Sequence, residues 1–134
     1  MAHSPSPSAT SSRSSDVLTG DPAPLAARAR AFLAATDILL LPDLVVAETV
    51  SVLESFYEAP RGQVAEALRA VLAFPAIRVV DAPLLLRALE VYELARLDFA
   101  EAYLVACAET SGVRRVASFD RSLDRVSSVE RVEP

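Results

Sequence analysis

The chain has 134 residues, a formal net charge of −5 and 52% hydrophobic residues. That length holds one domain able to bury most of its apolar surface and is too short for two ordinary ones; the Ala-, Leu- and Val-rich composition is that of a globular fold with several helices. The acidic balance argues against a protein that coats nucleic acid through clustered cations, while leaving room for an enzyme with a local cationic rim.

Residues 1–15, "MAHSPSPSATSSRSS", have almost nothing to bury and are expected to form a disordered Ser/Pro-rich tail ahead of a single domain over residues 16–134. They lack the apolar stretch of a secretion signal. No apolar run approaches the roughly 18 residues of a membrane span. The single Cys107 excludes a disulfide framework and a Cys-based zinc site. A cytoplasmic protein without membrane attachment is the expectation. All 13 basic residues are Arg, which suits bidentate phosphate contacts and equally follows from a codon bias.

From Pro24 the pattern turns helical, with Leu25, Ala29, Phe32 and Leu33 on one stripe, ending near Thr36. "DILLLP" predicts a buried strand of about four residues. Pro42 and Asp43 open the next helix, whose apolar face is Leu44, Ala47, Val50, Val52 and Leu53, to about Tyr57. "APRGQVAEALRAVLAF" predicts an amphipathic helix with Val64, Leu68, Val71 and Leu72 inward. "IRVV" predicts a second strand and Ala82–Ala95 a further helix. A helix then opens at Asp98 and ends at Gly112, followed by strands at "RRVASF" and "VERVEP". Strands alternating with helices predict an α/β fold with a parallel sheet covered on both faces.

In such sheets functional groups collect beyond the carboxyl ends of the strands. Asp120 directly follows "VASF". Asp98 and Glu101 lie three residues apart in one helical turn. Glu48 shares a stripe with Leu44 and is expected partly to face the core, where a lone carboxylate is expensive. Each acid also has a plain structural role available: Asp98 and Glu101 as a capping box, Asp120 as a turn residue, Glu48 paired with an Arg. As a group they repel one another unless a cation intervenes. A hard divalent ion, Mg²⁺ or Mn²⁺, accepts such oxygen ligands, and phosphodiester hydrolysis is its natural chemistry. The only histidine, His3, lies in the tail, and no Gly-rich phosphate loop occurs.

"LTGDPAPLAARARAFL", "LLLPDLVVAETVSVLE", "LDFAEAYLVACAE" and "VASFDRSLDRV", in that order and spacing, resemble a PIN domain, specifically the VapC-like toxins of type II toxin–antitoxin pairs, over about Val17 to Pro134. The resemblance implies a three-layer α/β/α sandwich around a central parallel sheet, a Mg²⁺ or Mn²⁺ site, RNA cleavage, a homodimer and a cognate antitoxin that occludes the site. Position by position it assigns Glu48 in "VVAETV", Glu101 in "DFAEA" and Asp120 in "SFDR" to the metal, with Asp98 as the nearby acid that joins them in catalysis. Family members usually have Asp where Glu101 stands. They also begin with an apolar strand ending in Asp, and counting back from Thr19 reaches Thr10, with Asp16 six positions late. Degeneration, a frameshift and a misassigned start each account for this mismatch, and each predicts weakened activity. The expected function is a metal-dependent endoribonuclease toxin of reduced activity; the alternative is a non-catalytic PIN-like domain that binds an antitoxin or dimerises. An unrelated helical adaptor is the third possibility.

Overall fold

The computed structural model describes residues 22–35 and 37–134, so the expected tail, Thr10 and Asp16 lie outside the described residues. In chain order the elements are α1 (Pro22–Ala35), β1 (Leu39–Leu40), α2 (Asp43–Ser55), α3 (Arg61–Leu72), β2 (Ile77–Arg78), α4 (Ala82–Ala95), α5 (Phe99–Ser111), β3 (Arg115–Ala117), a 3-10 turn (Arg121–Arg125) and β4 (Glu130–Val132). No helix among them is long and apolar enough to cross a membrane.

Local chemistry explains the helix ends. Asp81 accepts a hydrogen bond from the Leu84 N–H at 3.1 Å, satisfying one of the free donors of the first turn of α4, and Pro83 stands where a missing N–H costs nothing. α5 ends at Gly112, whose φ of 78° is the left-handed conformation that glycine adopts without strain.

The core is built on α4 and α5. Leu85, Ala88, Leu89 and Tyr92 of α4 are fully buried against Ala102, Val105 and Ala106 of α5, and the small side chains let the two helices approach closely. Each fully buried leucine is worth about 1.5–3 kcal/mol. α3 adds Val64, Ala65 and Leu68, and α2 adds Val46, Val50 and Leu53. Arg61, the first residue of α3, donates to the carbonyl of Tyr92 at 2.9 Å and to that of Leu97, and its guanidinium stacks 4.4 Å over the Tyr92 ring. It thereby satisfies carbonyls left open where α4 ends at Arg96, itself left-handed at φ 58°.

The strands are parallel, as the alternating pattern predicts. β1 pairs with β2 in the register Leu39↔Ile77, and β3 pairs with β4 in the register Val116↔Arg131. Among the described residues the ladder runs as two separate two-stranded sheets. Leu39 and Leu41 donate their amides to β2, and alternate residues of a parallel strand point their N–H and C=O to opposite edges, so Ile38 and Leu40 direct theirs away from β2. That edge is open. Ile38 and Leu40 are 68% and 58% exposed, which corrects the expectation of a buried "DILLLP" strand. An apolar run is buried on both faces only where sheet or helix covers it, and among the described residues β1 is flanked on one side alone.

α2 corrects a second expectation. Its inward residues are Val46, Val50 and Leu53, while Leu44 is 83% exposed and Val52 is also exposed. Glu48 goes with Leu44 as expected, but to solvent and not toward the core.

Candidate active site

β3 turns Val116 inward and carries the chain to Ser118 and Asp120, just past its carboxyl end. Across from it stands the first turn of α5. The Ser118 hydroxyl donates to Glu101 Oε2 at 3.3 Å and accepts the Asp120 N–H at 3.0 Å. One serine thus stands between the two acids, using both hydrogen-bonding capacities of its hydroxyl. Asp120 Oδ1 accepts the Ser122 N–H at 2.9 Å, a local turn that starts the 3-10 segment and fixes the carboxylate.

The two acids are pushed in opposite directions. Burial first, then the charge of Asp120, raises the Glu101 carboxyl above its ordinary range; the Ser118 hydrogen bond opposes this and Asp98 adds to it. Asp120 is held below the usual carboxylate range by its hydrogen bonds from Ser122, with the charges of Arg125 and Arg131 contributing. A carboxyl raised above its ordinary range beside one held below it is the kind of division that acid–base chemistry uses. Arg131 donates to the Ser118 carbonyl at 3.1 Å and to Asp124 at 3.0 Å, bracing the strand end from the far side.

Asp98 occupies the N-cap position of α5, yet its side chain makes no cap hydrogen bond and is exposed. The capping box available to Asp98 and Glu101 is not formed: Glu101 turns to Ser118 instead, and the charge of Asp98 reaches it through space. Glu48 is exposed on α2 and is not drawn into this group. Five helical positions, about 140° of rotation, separate it from Asp43 at the start of the same helix. Asp43 instead faces α5, where its Oδ2 accepts the hydroxyl proton of Tyr103.

The family model described as PIN domain matches residues 15–129, which takes in every strand and helix above except β4. The chain belongs to the PIN domain family. Neither a curated protein nor a solved structure matches it. PIN domains are α/β folds of nuclease type that typically use divalent metal ions. The donor chemistry of this PIN domain fits such an ion in part. Glu101 and Asp120 are hard oxygen donors whose mutual repulsion a cation would relieve. Among the described residues, however, no three His, Cys, Asp or Glu side chains stand together in metal-holding geometry.

Sequence reasoning overlooks Ser118, Tyr103 and Asp43 in this PIN domain. Ser118 has a local signal, a hydroxyl two residues before an acid at a strand end. The Tyr103–Asp43 pair spans 60 positions and has none.

Proposed function

We propose that the chain is a metal-dependent endoribonuclease of the VapC-like class, the toxin of a type II toxin–antitoxin pair, with weakened activity. The observation that carries this is the pairing of Glu101 with Asp120 through Ser118 beyond the carboxyl end of β3. In this reading Glu101 and Asp120 hold the Mg²⁺ or Mn²⁺ ion and Asp98 supplies a further charge at the same helix start, while Glu48, the third ligand that the resemblance assigns, stands apart from them on the solvent face of α2. An ion held there would supply a lowered pKa for a bound water and charge stabilisation at a phosphoryl oxygen. Ser118 keeps Glu101 oriented. Arg121, directly after Asp120, is exposed and makes no hydrogen bond or ion pair among the described residues, so its guanidinium is free to meet an RNA phosphate.

The outward position of Glu48 favours a second reading, a PIN domain that no longer cuts but still binds an antitoxin or a second copy of itself. The exposed apolar residues Leu44 and Val52 of α2, with Phe56 just after it, supply a surface for either partner.

The deciding experiment is an RNA-cleavage assay with Mn²⁺, using Asp120→Asn as the control. Asparagine keeps the acceptor for the Ser122 N–H, so the fold is expected to survive while cleavage is lost. Cleavage that persists in Asp120→Asn removes Asp120 from the site; absence of cleavage by the parent chain supports the binding module.

A further inference from the structure

We draw no further inference here: the strongest candidate, the far edge of β1, where Ile38 and Leu40 are exposed and no strand pairs among the described residues, carries nothing because nothing in the structure shows what covers it.

Discussion

Replacing Tyr92 by Phe removes one oxygen from the middle of the fold and tests whether the polar contacts around α4 hold it together. The Tyr92 ring is fully buried, lies edge-on to Phe99 at 6.2 Å between centroids, and sits beneath the Arg61 guanidinium. Phenylalanine preserves all of these contacts. What is lost is the hydroxyl that donates to Glu54. A hydrogen bond to a charged acceptor is worth about 1.5–3 kcal/mol. Glu54 is exposed, however, and recovers water when its partner is gone, so the net loss belongs at or below the lower end, about 1 kcal/mol. For a domain of this size that lowers the melting temperature by about 3–5 °C. Tyr92→Ala, which also empties a ring-sized space, costs about 3–5 kcal/mol, a large part of the stability of an ordinary domain. The assay is urea and thermal unfolding of the parent, Tyr92→Phe, Glu54→Gln and the double variant, so that the coupling is obtained directly. A Tyr92→Phe variant as stable as the parent, with no coupling to Glu54, would refute the reasoning: burial of the hydroxyl would then outweigh its bond. Burial, before Glu54, also pushes the Tyr92 hydroxyl above the ordinary tyrosine range, so the bond persists well into alkaline solution.

Three other outcomes are expected. The Glu101 carboxyl is raised in the folded chain, so the folded state binds this proton more tightly than the unfolded one, and stability falls as pH rises from the ordinary glutamate range through the raised value. Glu101→Gln should therefore melt with the parent in acid and above it at neutral pH in metal-free buffer; a constant difference across pH would contradict this. Gly112→Ala has open space for a Cβ but must hold φ at 78°, so it should lose about 1 kcal/mol in chemical denaturation through backbone strain alone. Glu101→Asp, which restores the family's usual acid, should raise the rate of RNA cleavage, and an unchanged rate would show that this position does not limit the reaction.

Much of the helical framework was legible because the signals were local. Ala82–Ala95 has its boundaries written in Asp81, Pro83 and the apolar period, and Gly112 marks the end of α5. α2 shows where the pattern fails. "DLVVAETVSVLE" carries apolar residues on both sides of the helix, so periodicity alone does not choose between the stripe through Leu44 and the stripe through Val46, and packing chose the latter. The strand at Ile38–Leu41 was predicted in its place and misread in its burial, since coverage is a tertiary property that an apolar run does not specify. At the site, the nearness of Asp120 to Glu101 followed from the rule for strand ends. The bond between Asp43 and Tyr103 depends on how two distant helices meet and left no trace in spacing.

Among the described residues no strand pairs with the far edge of β1, where Ile38 and Leu40 are exposed. An edge of that kind, wherever it stays uncovered, is a template for another extended chain. Contacts made through it between copies would obey mass action, so protein concentration would become a variable of stability in its own right.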